Sequence, residues 1–465
     1  MSIVPCTILD LRARGSVMTA GFIIDARLGA KNLEQSLSTL VEHKFPGAGA
    51  RLARRNGAYE FQIPRTFDAE TPPIAFTVDN YPEPYRSATR PKLPMHLPDC
   101  FDATQPSVHP VPELDVYFKS RKCPTAFDGF LLPNTPILHV HVAAFDDFTF
   151  IGLTWSHIAF DGLGMQALLY AWTRLLSGDA INTIPGMDWD AQPFEAFTRT
   201  TAVTRPRGWF EPARVGWWQR LVRSLMRIMW GPREATPTQA RQDVTHIVRM
   251  PKLFLDEAKR EINNNLKLQG SKEWVGSSDV LTAWCFRSIN DTTPIHIHLH
   301  VDLRDYCIFP GSSSIATPYI RNAIWTIPVV VPANAFGTEP LAELALRIRR
   351  AIKAYNADLD RIESDLRWFF ANPGTRLAPW PPGAEFAVQS NLLKGRAGEF
   401  NFSGACERKA SVAFLLVETM GGGKKVEWRG VGEVLMEDKD AVWMTQGGWL
   451  QDWESIRQSG TLAFV

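Results

Sequence analysis

His157, Asp161 and Gly162 stand in the stretch Thr154-Trp155-Ser156-His157-Ile158-Ala159-Phe160-Asp161-Gly162, with the spacing His-x-x-x-Asp-Gly. An apolar strand-like run precedes the histidine and an apolar helix-like run follows it, so the motif falls on a strand-to-helix loop. A histidine held there can take a proton from a hydroxyl or an amine. Its ordinary pKa, near 6.5, leaves an imidazole mostly neutral at cytosolic pH, as a base must be. The aspartate four residues on can act through the ring or fix the loop that carries it. A loop histidine bonded to a nearby carbonyl would have the same spacing, so the surroundings must discriminate.

Other chemistries find less support. Residues 295–304 read Ile-His-Ile-His-Leu-His-Val-Asp-Leu-Arg, a period-2 strand with aliphatic residues at odd positions. Its other face carries His296, His298, His300, Asp302 and Arg304. Histidines two apart on a strand are separated by about 6.6 Å, too far for three to share one ion with metal–nitrogen distances near 2.1 Å. No metal site is expected, and this face is expected to line a solvent channel or a domain boundary. Gly421-Gly422-Gly423-Lys424-Lys425 lacks the first glycine and the Ser/Thr of a phosphate loop, so it reads as a turn. There is no Gly-x-Ser-x-Gly elbow, and no cysteine lies in a nucleophile motif.

The elements that must position the histidine are legible. Residues 18–28 read as a strand, followed by a helix capped by Asn32 with Leu33, Leu37, Leu40 and Val41 on one face. Residues 137–145 and 148–155 form a hairpin around Asp146-Asp147, and 163–177 are helical. Ser277-Ser278-Asp279 caps a helix over 280–289. Residues 179–245 hold many prolines and separate two domains, expected at 1–190 and 243–465 with a crossover at 191–242. Within the crossover, 217–230 form a basic amphipathic helix with Arg220, Arg223 and Arg227 on one face. That helix either lies on a domain with its arginines in water or adheres weakly to an anionic membrane surface.

The chain has 465 residues, 45% hydrophobic and 21% charged, with net charge +1. Nothing in that balance suggests a nucleic-acid partner. Six scattered cysteines without a Cys-x-x-Cys pair fit a reducing compartment. No signal peptide or uncharged span of membrane length is visible, so a cytoplasmic monomer is expected.

The motif, taken with several other segments in the same order, resembles the BAHD superfamily of acyl-CoA-dependent acyltransferases, in a divergent form like fungal secondary-metabolite members. Leu33–Leu40 and Phe45-Pro46-x-x-Gly49-x-Arg51-Leu52 are similar to the family's first helix and following turn. Asp279–Trp284 is similar to the helix opening the second domain. Val301-Asp302-Leu303-Arg304, followed by Tyr319-Ile320-Arg321-Asn322-Ala323, resembles another paired motif. The family's C-terminal Asp-Phe-Gly-Trp-Gly is degenerate here, as Asn401-Phe402-Ser403-Gly404, which puts local packing and coenzyme A positioning in question.

The resemblance implies a mixed α/β fold of two chloramphenicol-acetyltransferase-like domains, each a mixed sheet flanked by helices, with a tunnel between them. No bound cofactor is implied; a coenzyme A thioester is co-substrate, and a small, apolar secondary metabolite is acceptor through a hydroxyl or amine. His157 would be the general base. Asp161 would turn away from the ring and pair with Arg304. Ser390 and Asn391 are candidates for an oxyanion donor by position, and His300, Asp302, Asn322 and Phe402 for the tunnel lining. Two alternatives stand beside this reading: a condensation-type domain with a carrier-bound donor, disfavoured by Ser156 where such domains carry a second histidine, and a non-catalytic ligand-binding member of the fold.

Overall fold

The computed structural model describes residues 1–87, 90–95, 104–189, 192–198, 204–211, 242–287, 293–306, 318–373, 375, 377–459 and 462–465. The basic stretch 217–230 and most of the expected crossover 191–242 lie outside the described residues.

Among the described residues seventeen strands build three sheets. In chain order they are β1 (Ser2–Pro5), β2 (Ser16–Ile24), β3 (Arg51–Arg55), β4 (Ala58–Ile63), β5 (Ala75–Asn80), β6 (Ser107–Pro110), β7 (Leu138–Ala144) and β8 (Thr149–Ser156). There follow β9 (Asp243–Pro251), β10 (Ile295–Asp302), β11 (Ile324–Val331), β12 (Glu385–Asn391), β13 (Val412–Gly421), β14 (Lys424–Lys425), β15 (Val431–Glu437), β16 (Ala441–Trp449) and β17 (Ala463–Phe464). A six-stranded sheet has the order β14-β13-β2-β8-β7-β5, an eight-stranded sheet β11-β10-β12-β15-β16-β9-β6-β17, and a small one β1-β4-β3. Both large sheets mix parallel and antiparallel pairs: β7 runs parallel to β5 and antiparallel to β8, and β12 runs parallel to both β10 and β15.

The central strands are apolar because both their faces are covered. β8 is buried at every position, and β2 at all but its first residue. Seven helices bear on the argument: α1 (Ile8–Arg12), α2 (Ala30–Lys44), α3 (Gly162–Leu176), α4 (Lys252–Leu268), α5 (Ser277–Phe286), α6 (Leu341–Asn356) and α7 (Leu359–Ala371). α2 buries Leu33, Leu37, Leu40 and Val41, the stripe its spacing predicts, and packs on α3.

Each large sheet takes a strand from far away in the chain. β13 pairs antiparallel with β2, placing residues beyond 411 in the six-stranded sheet. β6, from the N-terminal third, pairs antiparallel with β9 in the eight-stranded sheet. Each large sheet is thereby built from segments widely separated in the chain.

Three local expectations are corrected. Helix α2 is capped at Gly29, whose carbonyl accepts from Asn32 and Leu33, so Asn32 already lies in the first turn. Helix α5 begins at Ser277, because Asp279 reaches back 2.7 Å to the Gly276 amide and so caps from within. The polar face of β10 is not uniform. His298 is buried, with its ring 4.8 Å from Trp380, and Arg304 leaves the strand on a 3-10 turn over Leu303–Asp305.

Candidate active site

β8 ends at Ser156 and α3 begins at Gly162, and the five residues between are held from several sides. The His157 amide donates to the Ser16 carbonyl on β2 at 2.9 Å. The Trp155 indole donates to the Phe160 carbonyl at 3.0 Å. The Asn322 amide group donates to the carbonyls of His157 and Ile158, at 2.9 and 3.1 Å. Nδ1 of His157 is buried and meets no hydrogen-bond partner among the described residues.

Asp161 caps α3 through Oδ1, which accepts from the Gly164 amide at 2.7 Å; Oδ2 accepts from the Ala323 amide at 2.8 Å. Both oxygens also accept from Nη2 of Arg304, at 3.0 and 2.9 Å. These contacts commit both carboxylate oxygens to the start of α3 and to the Arg304 turn. Arg304 donates in addition to the carbonyls of Tyr319 and Arg321, both at 2.7 Å, and to Asp302 at 2.8 Å. Burial works against its charge, but Asp161 and Asp302 more than offset it, and its pKa stands above the ordinary value. A buried ion pair holds only when its remaining hydrogen-bonding capacity is filled, and here it is filled.

A second buried pair lies directly behind the loop. Arg321 donates to Asp10 at 2.6 Å, both side chains being fully enclosed, and Asn322 reaches Asp10 at 3.2 Å. Asp10 also closes a capping box with Thr7 at the start of α1. The chain from Asp10 through Asn322 to the His157 carbonyl thus ties the N-terminal helix to the loop.

A cavity of about 430 Å³ opens between the two large sheets, within the range of small-molecule sites. His157, Gly162, His300, Asp302, Asn322, Ser390 and Asn391 all line it. His300 is exposed at the cavity wall. Desolvation by the surrounding protein lowers its pKa to about 4, with smaller contributions from His157 and Arg12, so the ring is neutral at physiological pH. Asn391 has its amide committed, accepting from Leu393 at 2.9 Å and donating to Ser278 at 3.3 Å. No hydrogen bond engages the Ser390 hydroxyl among the described residues.

Phe402 corrects an expectation: it does not line the cavity. It is fully buried, edge-on to Trp172 of α3 with ring centroids 5.6 Å apart. Its segment packs so closely that a Cβ on Gly404 would lie 1.6 Å from the Leu176 carbonyl oxygen. The degenerate motif therefore supports the end of α3.

Sequence reasoning missed Asp10, Arg321 and Glu433. The Thr7-x-x-Asp10 spacing signals a helix start, but nothing in it signals a partner 311 residues away. Glu433 faces the cavity from β15, in a strand where it passes for an ordinary polar alternation.

The fold is similar to that of the solved structures of TRI101 and vinorine synthase, and the sequence is similar to fungal acetyltransferases, in keeping with the BAHD-type resemblance. No protein-family model matches it. It is 25% identical over 389 residues to acetyltransferase pyiB of Pyricularia grisea, covering 81% of this chain and 74% of that one. It is 28% identical over 355 residues to acetyltransferase adrJ of Penicillium roqueforti, with 73% and 68% covered. A relative of different name, transcriptional regulator sdnM of Sordaria araneosa, is 26% identical over 443 residues, with 88% and 86% covered. The structure of F. graminearum TRI101 with coenzyme A and T-2 mycotoxin superposes with a TM-score of 0.68 at 12% identity, covering 98% of this chain and 97% of that one. Among the described residues no helix is long and apolar enough to cross a membrane.

Proposed function

We propose that the protein is an acyltransferase that moves an acyl group from a coenzyme A thioester to a hydroxyl or amine of a small, largely apolar secondary metabolite, with His157 as general base. The observation that carries this is the His157 ring itself. Its backbone is clamped to Ser16 and Asn322, the residue lines the cavity between the two sheets, and its buried Nδ1 carries no hydrogen bond among the described residues. The acetyltransferase relatives and the coenzyme A-bound TRI101 structure support a thioester donor.

His157 takes the acceptor proton as the acceptor oxygen or nitrogen bonds to the thioester carbonyl carbon. The carbonyl electrons move onto oxygen, then return as the carbon–sulfur bond breaks. The imidazolium gives its proton to the departing thiolate, and no acyl-enzyme forms. The uncommitted Ser390 hydroxyl suits the developing oxyanion better than Asn391, whose amide is already engaged. Asp161 and Arg304 act as positioning residues, and so does Asn322. The protein would work as a cytoplasmic monomer.

Replacing His157 by alanine is expected to lower acyl transfer by about 10²–10⁴-fold, the usual share of general-base catalysis. The assay follows free thiol released from a panel of acyl-CoAs, with and without acceptor. Full activity in His157→Ala would sink the assignment. Faster turnover of a carrier-protein thioester than of free acyl-CoA would point to the condensation-type alternative. A non-catalytic binding member is the second reading, favoured by the relative named a transcriptional regulator and by the degenerate Asn401 segment. Ligand binding without any thiol release would support it.

A further inference from the structure

The cavity wall formed by the eight-stranded sheet carries a line of polar side chains across five neighbouring strands. Thr326 on β11 stands opposite His300 on β10. Ser390 on β12 stands opposite Glu433 on β15, and Glu433 opposite Thr445 on β16. β10 and β12 run parallel with Leu299 beside Gln389, so the next step sets His300 beside Ser390. All five side chains line the cavity. Adjacent strands lie about 4.8 Å apart, which places Glu433 about 10 Å from His300, two strands away. His300 in turn lies close enough to His157 for the two rings to interact electrostatically.

Glu433 is the member of this line without an obvious reason to be there. It has no ion pair or hydrogen bond among the described residues. It is half-buried and faces the cavity, and burial pushes its pKa up to about 7. A half-buried carboxyl without a partner is costly, and such groups are kept where a ligand supplies the partner. The other four side chains are neutral hydrogen-bonding groups. An ionised carboxyl would repel a polyanionic donor such as coenzyme A, which leaves the acceptor as the occupant of this wall.

We propose that Glu433 accepts a hydrogen bond from a second hydroxyl or amine of the acceptor, held roughly 10 Å from the group presented at His157 and His300, two strand spacings along the sheet. Glu433 thereby selects rigid, mainly apolar acceptors that carry a hydrogen-bond donor at each end. The acyl-transfer reading enters only in naming the occupant as the acceptor.

The test uses estradiol, a rigid diol of comparable span, and its deoxy mono-ol that keeps only the phenolic hydroxyl. Binding to the full chain is read by calorimetry without acyl-CoA. The wild type is expected to prefer the diol by about 10-fold or more, the usual worth of a hydrogen bond to a charged group. In Glu433→Leu that preference should collapse to within about 2-fold, and Glu433→Gln should keep part of it. Thermal melting checks both variants; each should melt at or above the wild type, since each removes an unpartnered half-buried acid. Equal binding of the pair by the wild type, binding of neither, or an unchanged preference in both variants overturns the proposal. Thiol release by wild type and His157→Ala is measured separately, so a failure of the acyl-transfer reading shows there and leaves the diol preference to be judged by itself.

Discussion

The contacts of Asp161 and Arg304 support the proposal that these two charged side chains serve position and not proton transfer. The Asp161 oxygens are committed to the Gly164 and Ala323 amides and to Arg304. Asp161→Ala should therefore destabilise the protein by about 3–5 kcal/mol, the cost of leaving a buried partner charge uncompensated. The measurement is chemical denaturation. Pairing Asp161→Ala with Arg304→Met should restore part of the loss, since the orphaned charge is then gone. If Asp161 instead relayed charge to His157, Asp161→Ala would lose turnover with unchanged stability. At the same scale, Ser390→Ala is expected to lower kcat by about 10²–10³-fold with little change in KM for either substrate, as removal of a transition-state donor does. A larger change in KM than in kcat would reassign Ser390 to binding.

At the scale of elements, the junction of β8 and α3 depends on close backbone approach. A Cβ on Gly164 would fall 2.0 Å from the Ile320 carbonyl oxygen, a backbone atom that cannot step aside without moving the Arg321–Asn322 segment. A Cβ on Gly162 would meet only the tip of the Leu392 side chain, at 2.8 Å. Gly164→Ala should therefore cost more than Gly162→Ala, about 1–3 kcal/mol against less than about 1 kcal/mol, read as loss of melting temperature and confirmed by denaturant titration. The reverse order would show that the helix start is not set by its contact with residue 320. Much of this junction was legible: the apolar run of β8, the loop and the apolar face of α3 all follow from periodicity. The need for glycine at 164 was not, because the atom that demands it lies more than 150 residues away in the chain.

The whole molecule buries an unusual set of titratable groups. Burial holds His109, His139 and His246 near pKa 4 and His298 near 3. An unfolded histidine titrates near 6.5. Between those values the unfolded chain binds more protons than the native one, so stability is full above about pH 6.5 and falls as pH drops toward 4. Glu433 acts in the opposite sense. Its contribution is full below the ordinary glutamate pKa of 4.5 and is lost as pH rises through about 7. Asp365, raised to about 6 by burial, acts in the same sense as Glu433; four histidines outweigh these two carboxyls, so urea midpoints should decline steadily from pH 6.5 to pH 4. His298→Leu should flatten that decline, because its ring sits against Trp380 with neither nitrogen bonded among the described residues. A flat profile over this range would contradict the burial of these rings.

What the sequence determined by itself is local and periodic: the strand–loop–helix around His157, the stripe of α2, the alternation of β10 and the ordered motifs that resemble one acyltransferase class. Local spacing suffices there because 2.0- and 3.6-residue periods are fixed by backbone geometry. Tertiary structure decided the rest. It joined Asp10 to Arg321, set Phe402 against Trp172 and away from the cavity, inserted β13 beside β2, and aligned Thr326, His300, Ser390, Glu433 and Thr445 along one wall. These partners come from distant parts of the chain. A side chain's neighbours across a sheet depend on which strands pair and in what register, and strand pairing is a property of the assembled core.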